Sequence, residues 1–206
     1  MADPAIDSRF NLDRLRFRGL GIAAGLVKPS QMVSTETYAI EADYGEFVPR
    51  VRIVFSAAFW GSHLNESTLR RYREQLGEVV QDPTGDYQIS LGSVRVSDIA
   101  LAVDGRWSPS RFRSTFIQPY AGGGIAAHVL NAEGRAIANT FVERALDNIA
   151  VAPLALAGFD AVFFKQVAIG MQARYDLVNA ARHGSLRALG TYYFDHPRRT
   201  ARPGGR

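Results

Sequence analysis

A single ten-residue stretch decides the fold, and it reads Gln166-Val167-Ala168-Ile169-Gly170-Met171-Gln172-Ala173-Arg174-Tyr175. Apolar side chains alternate along it with small or polar ones, without a break. Because successive side chains of a strand point to opposite faces of a sheet, this period of two predicts a strand with one apolar surface. The other face carries small residues and charge, which is typical of the narrow interior of a closed barrel.

The composition of the chain limits the classes of protein to which it can belong. The chain has 206 residues, of which 47% are hydrophobic, and this predicts one globular domain or one domain with appendages. It has no cysteine, which excludes disulfides, thiolate zinc sites and cysteine nucleophiles. No apolar run approaches the ~20 residues that a membrane-spanning helix needs.

Seven further segments show strand-like patterns, and the short connections between neighbours predict antiparallel hairpins. The eight predicted strands are residues 15–27, 35–47, 50–60, 93–103, 113–130, 151–164, 166–178 and 186–194. Turn signals at Asp104-Gly105 and at residues 131–134 end the fourth and fifth strands. Two helical insertions, about 65–78 and 140–149, carry apolar residues at spacings of three and four. A short ninth strand is predicted at residues 87–92.

We therefore predict an all-β protein, which is an antiparallel up-and-down β-barrel or a strongly curled sheet of about eight strands. Residues 1–14 would form an N-terminal arm, 15–194 a single barrel domain and 195–206 a basic C-terminal tail. Charges inside a small barrel must be paired to offset their desolvation. The candidates for interior charge pairs are Arg16, Arg18, Glu41, Asp43, Arg50, Arg52, Arg174 and Asp176. Solvated strand faces are the alternative explanation for these charges.

Two glycine-rich phrases fit the loose dinucleotide-binding pattern, at residues 19–24 and 122–127. That fingerprint requires a helix that starts at the glycines, so that its N-terminus meets the pyrophosphate. Pro29 follows the first phrase too soon for such a helix, and the turn at 131–134 follows the second. Both phrases are therefore interpreted as strands whose glycines allow close backbone approach.

Catalytic and metal-binding patterns are not found in this sequence. The four histidines, His63, His128, His183 and His196, have no ligand-like spacing, so we expect no metal and no cofactor. Three carboxylates lie within predicted strands, at Asp98, Asp160 and Asp176. They could be catalytic, but we expect barrel salt bridges or strand-end caps. We expect no enzymatic activity and no nucleic-acid partner. Four aromatic residues near strand ends fit either a membrane-interface girdle or core packing: Trp60, Trp107, Tyr192 and Tyr193.

The second half of the chain contains several motifs in a fixed order: Gln118-Pro119-Tyr120-Ala121-Gly122-Gly123-Gly124, Thr140-Phe141-Val142, Ala173-Arg174-Tyr175-Asp176 and Gly190-Thr191-Tyr192-Tyr193-Phe194. This order resembles small eight-stranded bacterial outer-membrane β-barrels of the OmpW and OmpX type. The resemblance covers residues 113–194 well and the first half by pattern only. It implies the barrel fold and identifies no catalytic residues. Two features depart from the family: no export signal is visible at Met1, and a basic tail follows Phe194.

Three functions are compatible with these patterns. The first expectation is a non-enzymatic structural or accessory subunit that docks on a larger, membrane-bound protein complex. Its partner-binding residues would be Arg70, Arg71, Arg73, Arg198, Arg199 and Arg202. The alternatives are a membrane-inserted outer-membrane barrel, as structural protein or small pore, and a soluble barrel that binds a small apolar ligand. We expect membrane association, at the cytoplasmic face if Met1 is the native start and in the outer membrane if a signal peptide has been removed.

Overall fold

Eight strands make up most of the described part of the molecule. The structure is a computed structural model that describes residues 15–71, 93–112, 115–133, 148–163, 166–178 and 182–194. The strands are β1 (Gly19–Pro29), β2 (Thr35–Val48), β3 (Val51–His63), β4 (Arg95–Trp107), β5 (Ile117–Glu133), β6 (Asn148–Phe163), β7 (Val167–Asp176) and β8 (His183–Tyr193). A single 3₁₀ turn, Ser110–Phe112, precedes β5 among these residues. No helix of the described ranges has the length and apolar character to span a membrane.

The strands close into an antiparallel up-and-down barrel, as the sequence predicts. Each strand pairs with its neighbours in the chain, and the last strand returns to the first. The closing ladder between β1 and β8 runs from the pair Gly19 and Tyr193 to the pair Pro29 and His183. Because the ring of pairings is complete, each described strand has a hydrogen-bonded neighbour on both sides along most of its length, and the described sheet has no edge strand.

The apolar and polar side chains that alternate along β7 lie on opposite faces of the sheet, as the sequence predicts. The apolar face points away from the barrel, where Ile169 and Met171 are exposed, while Gln172 and Arg174 are buried inside. Gly170 also points inward, and a Cβ atom there would clash with the carbonyl oxygen of Phe159 on β6. Glycine is therefore required at this position for the two strands to approach.

The two glycine-rich segments, residues 19–24 and 122–127, both lie within strands, in β1 and β5. A Cβ atom at Gly25 would clash with the carbonyl oxygen of Leu186, and one at Gly124 with that of Val103. These glycines serve close strand packing, in agreement with the interpretation from the sequence.

Several predicted strand ends need correction. β4 continues through Asp104-Gly105 to Trp107, and β5 continues to Glu133. β8 begins at His183 instead of Leu186. Residues that favour turns in isolation stay extended here because ladder hydrogen bonds to both neighbouring strands outweigh local propensity.

The predicted helical insertions are described only in part. A helix covers residues 66–71, and the side chain of Asn65 caps it by accepting a hydrogen bond from the Thr68 amide at 2.9 Å. Residues 148 and 149 belong to β6, so the predicted end of the second helix is wrong there. Residues 72–78, 140–147, the predicted ninth strand at 87–92, the arm 1–14 and the tail 195–206 lie outside the described residues.

The two ends of the barrel differ. The connections 49–50, 108–116 and 164–166 leave from one end, called here the turn end. The connections 30–34, 64–94, 134–147 and 177–182 leave from the opposite end, called here the loop end. Buried apolar side chains fill the barrel at the loop end and form what we call the loop-end cluster: Val27, Met32, Trp60, Leu64, Leu69, Val94, Val96, Leu130, Ala132, Ala152 and Val178.

Candidate functional site: an apolar outer surface and a charged interior

Large apolar side chains cover the outside of the barrel on all eight strands. They include Leu20, Ile22, Leu26, Tyr38, Ile40, Phe55, Phe59, Ile99, Leu101, Ile125, Val129, Ile149, Val151, Phe159, Ile169, Met171, Leu186 and Tyr192. In the described strands, charged side chains at outward positions occur only near the loop end, at Lys28, Glu36, Arg95 and Glu133. The outer surface is therefore a continuous apolar band.

Aromatic rings gather on the outside at the turn end. The rings of Phe17 and Phe194 have centroids 5.3 Å apart, and Phe17 also contacts Tyr44 at 5.9 Å. On the opposite side, Phe116 and Phe163 meet edge to face at 4.9 Å. Together they form part of a girdle at one rim of the apolar band.

Only half of the predicted aromatic girdle is found at the surface. Trp107 and Tyr192 are exposed near the turn end. Trp60 is fully buried in the loop-end cluster, and the hydroxyl of Tyr193 accepts a hydrogen bond from Arg52 at 2.8 Å. Position near a strand end did not reveal which face of the strand each ring occupies.

The first group of interior charges surrounds Arg106. Its guanidinium lies 2.8 Å from Glu41 on β2 and donates from Nε to Asp104 Oδ2 at 2.7 Å. The ring of Tyr120 faces the same guanidinium, with its centroid 5.4 Å from the Arg106 Cζ atom. All four side chains are buried, so this cation offsets the desolvation of two carboxylates.

The second group surrounds Arg52, nearer the turn end. The guanidinium of Arg52 lies 3.2 Å from Asp43 and 3.0 Å from Asp160. Asp160 belongs to β6, whereas Arg52 belongs to β3, so this ion pair bridges the lumen. Asp43 also accepts a hydrogen bond from the Gly45 amide at 2.6 Å. Asp160 is one of the three strand carboxylates for which the sequence left open a catalytic or a structural role, and it forms a salt bridge.

The third group lies between the Arg106 group and the loop-end cluster. Asp98 Oδ2 lies 2.8 Å from His128 Nδ1 and accepts a hydrogen bond from Trp60 Nε1 at 3.1 Å. Asp176 is held by Arg174, whose Nη2 lies 2.6 Å from Oδ1. His128 and the imidazole of His183 both face Asp176, at 3.6 Å and 3.4 Å. We call these residues the histidine cluster: Asp98, His128, Asp176 and His183.

Several buried polar atoms in the interior have no hydrogen-bond partner within the part of the chain that the structure describes. They are Asp98 Oδ1, His128 Nε2, Ser185 Oγ, and Nε and Nη1 of Arg187, together with Arg18 Nε and Asp104 Oδ1. A buried polar atom without a partner costs free energy, so each such atom calls for a ligand, an ion or a water molecule.

Five of the eight predicted interior charges lie inside the barrel. Glu41, Asp43, Arg174 and Asp176 are buried inside the barrel, and Arg52 is half-buried there. Arg18 is half-buried, with its side chain against Gly45 at the turn end. The interior assignment of Arg16 and Arg50 is corrected, because both residues are exposed. Arg50 lies in the turn between β2 and β3, where its φ of 78° belongs to the left-handed region.

Of the arginines predicted to bind a partner, Arg70 and Arg71 are exposed on the helix at the loop end. Arg73, Arg198, Arg199 and Arg202 lie outside the described residues. A role of these six arginines in partner binding stays a prediction.

The sequence alone did not single out Arg106, His128, His183 or Arg187 as interior groups. The alternation in β4 could have identified Arg106, because it is separated from the buried Ala100 and Ala102 by an even number of residues and therefore points to the same face of the strand. His128 and His183 lie on β5 and β8, which are not neighbours in the barrel. Their proximity follows only from closure of the sheet, so no spacing rule could have found it.

We predict that R106M destabilises the barrel strongly. The substitution keeps an apolar stem of similar length but leaves Glu41 and Asp104 buried without their cation. The expected loss is about 3–5 kcal/mol in the free energy of unfolding. A urea titration in detergent micelles, read by the heat-modifiable shift of the folded barrel on a gel, measures this loss.

The matched control is R95M, because Arg95 lies on the same strand and is exposed. Its free energy of unfolding should change by less than about 1 kcal/mol. Equal losses for R95M and R106M would contradict the importance of the interior pairing.

Comparison with known proteins supports the fold. A scan against protein-family models and a search of curated proteins give no match. Among solved structures, Neisserial surface protein A is 12% identical, with 86% of this chain and 97% of that chain covered and a TM-score of 0.52. OprG of Pseudomonas aeruginosa is 10% identical, with 89% and 98% covered and a TM-score of 0.49. The chain thus has the fold of small eight-stranded outer-membrane β-barrels.

Proposed function

We propose that this protein is a membrane-inserted outer-membrane β-barrel with a structural, non-enzymatic role. The observation that carries the proposal is the inverted distribution of polarity, with charges buried inside and apolar side chains exposed outside. A water-soluble protein rarely exposes apolar surface of this extent. A barrel in lipid requires such a surface, because its backbone groups are already paired and its outside contacts hydrocarbon.

The dimensions of the strands support insertion. The shortest strand, β7, has 10 residues and the longest, β5, has 17. A tilted strand needs about 9–11 residues to cross the hydrocarbon core. The aromatic rings at the turn end then lie at a membrane–water interface, where amphipathic rings are enriched.

The distribution of apolar residues favours lipid over a docked protein partner. Exposed large apolar side chains occur on every strand, from Leu20 and Ile22 on β1 to Leu186 and Tyr192 on β8. A protein partner would have to surround the barrel completely to cover them. Lipid covers such a band without shape complementarity, so the membrane-inserted alternative replaces the docked subunit as the leading hypothesis, together with an outer-membrane location.

The interior supports a barrel whose lumen is filled by side chains. Such a barrel is neither a pore nor a container for an apolar ligand. The loop-end cluster fills the lumen at one end, and the charged groups around Arg106 and Arg52 lie in it further along, where the ion pair of Arg52 with Asp160 connects opposite walls. Within the described ranges, Trp60, Arg187 and His128 are the largest fully buried side chains. Barrels of eight strands have just enough interior volume to be filled by side chains in this way.

The lengths of the connections give the orientation. In outer-membrane barrels the turns on the periplasmic side are short and the extracellular loops are longer. The turn end, with connections such as 49–50, therefore faces the periplasm, and the loop end faces the outside of the cell.

Insertion is tested by a charge placed in the middle of the apolar band. Leu101 is the central residue of β4 and is exposed. We expect L101R to cost about 2–4 kcal/mol of membrane stability, because arginine is least favourable at the bilayer midplane. The measurement is the fraction of heat-modifiable barrel after folding into phosphatidylcholine vesicles that are then floated on a density gradient.

The control is E133R, which places arginine at an outward position close to the loop end. It should insert like the wild type, because the cost of arginine falls to about 0–1 kcal/mol near the interface. Recovery of wild-type protein in the aqueous fraction, or equal insertion of L101R and E133R, would reject the inserted barrel.

Orientation is tested with single cysteines, since the chain has none of its own. Ser67 is exposed at the loop end and Ser110 at the turn end. Expressed with a secretory signal in a Gram-negative host, S67C should react with a membrane-impermeant maleimide on intact cells. S110C should react only after the cells are lysed, and the reverse pattern would contradict the orientation.

Closure of the lumen is tested by electrical recording. We expect the wild-type protein in planar lipid bilayers to give no discrete conductance steps, because buried side chains occupy the barrel along its length. A general porin recorded in the same bilayers is the positive control. Stable channels of uniform size would instead favour the small pore and disprove the closed interior.

A further inference from the structure

The histidine cluster combines ligands of a kind that metals prefer, in a place where the barrel would otherwise leave polar atoms unsatisfied. We propose that Asp98, His128 and His183 bind one divalent transition-metal ion of the zinc type inside the barrel. This site is independent of whether the barrel inserts into lipid, so it goes beyond the proposed function.

The first argument is the distance between the ligand atoms. One atom from each of the three residues lies within 4.8 Å of the other two. Tetrahedral zinc with bonds of about 2.1 Å places its ligand atoms about 3.4 Å apart. Small side-chain rotations are therefore sufficient to draw the three ligands onto one ion.

The second argument is the unsatisfied hydrogen-bonding capacity. Asp98 Oδ1 and His128 Nε2 are fully buried and have no hydrogen-bond partner among the described residues. His128 Nδ1 lies 2.8 Å from Asp98 Oδ2, so these two atoms are bridged either by a proton or by a metal ion that both of them ligate. With a metal ion on Nδ1, the imidazole keeps its proton on Nε2, and that N–H faces the acceptor Asp176 Oδ1 at 3.6 Å.

The third argument is the surrounding shell. Trp60 donates to Asp98, and Arg174 holds Asp176 with two nitrogens, so both carboxylates are fixed in orientation. Among the described residues, the only ion pair that Asp98 makes is with His128. Metal-binding groups are characteristically oriented by a second layer of hydrogen bonds of this kind.

The ligand set indicates the class of metal. Imidazole nitrogens favour zinc, copper, nickel and iron, whereas calcium and magnesium favour sites made of oxygen alone. Two imidazoles with one carboxylate match zinc-type coordination, and Asp176 faces both imidazoles as a neighbouring negative charge.

A protonated His128 that bridges Asp98 and Asp176 would satisfy the facing oxygens of both carboxylates without a metal. In that case the two imidazoles would not act together, and the affinity of the folded barrel for metals would not depend on His183. The two explanations therefore differ in a measurable quantity.

The test uses the full chain, folded into detergent micelles in the presence of Zn²⁺, because the site is enclosed once the barrel has closed. After excess metal is removed by gel filtration, the bound zinc is quantified by inductively coupled plasma mass spectrometry. We expect about one zinc per folded chain in the wild type and in the control H63Q, because His63 is exposed. H183Q and D98N should bind at least about 10- to 100-fold more weakly.

The heat-modifiable gel shift establishes that each variant is folded before its metal is counted. If H183Q or D98N fails to fold, the wild type folded with Co²⁺ decides, since nitrogen and oxygen ligation in four-coordinate geometry gives intense visible absorption bands. No such bands in folded wild type, no retained zinc, or equal retention by wild type and folded H183Q would overturn the proposal. Loss of zinc in H63Q would also overturn it, since binding would then be at the surface.

Discussion

Closure of the sheet between β1 and β8 is the constraint on which the rest of the structure depends. The closing ladder extends over the whole of both strands, from Gly19 to Pro29 on β1. Once the ring is complete, every strand has a hydrogen-bonded neighbour on each side. The backbone groups within these ladders are then satisfied without help from solvent, and the side chains of the outer face are free to be apolar on all strands.

Closure also decides what the interior must contain. A ring of eight strands is too narrow for bulk water, so charged side chains inside it need partners of opposite charge. Arg106 lies between Glu41 of β2 and Asp104 of its own strand, and Arg52 lies between Asp43 of the adjacent β2 and Asp160 across the lumen on β6. Such pairs contribute little net stability compared with apolar packing, but removal of one partner is costly.

The two ends of the lumen have different chemistry. At the loop end an apolar cluster that includes Trp60 and Leu69 excludes water. Toward the turn end the interior is charged, and the histidine cluster lies between these regions. A metal ion at Asp98, His128 and His183 would join β4, β5 and β8, which no single ladder of hydrogen bonds connects. It would thus tie the closing strand to the opposite part of the wall.

The sequence by itself determined the strand architecture, because period-two alternation is a local property, and residues such as Ile169 and Gln172 reveal their faces directly. It also determined that Glu41 and Asp43 of β2 lie on one face of their strand, and that Arg174 and Asp176 of β7 do so on theirs. The tertiary structure decided the exact strand ends, since ladder hydrogen bonds keep Asp104-Gly105 extended. It alone decided which inward charges meet and that His128 lies beside His183, because contacts across a lumen join residues whose separation in the chain carries no periodic signal.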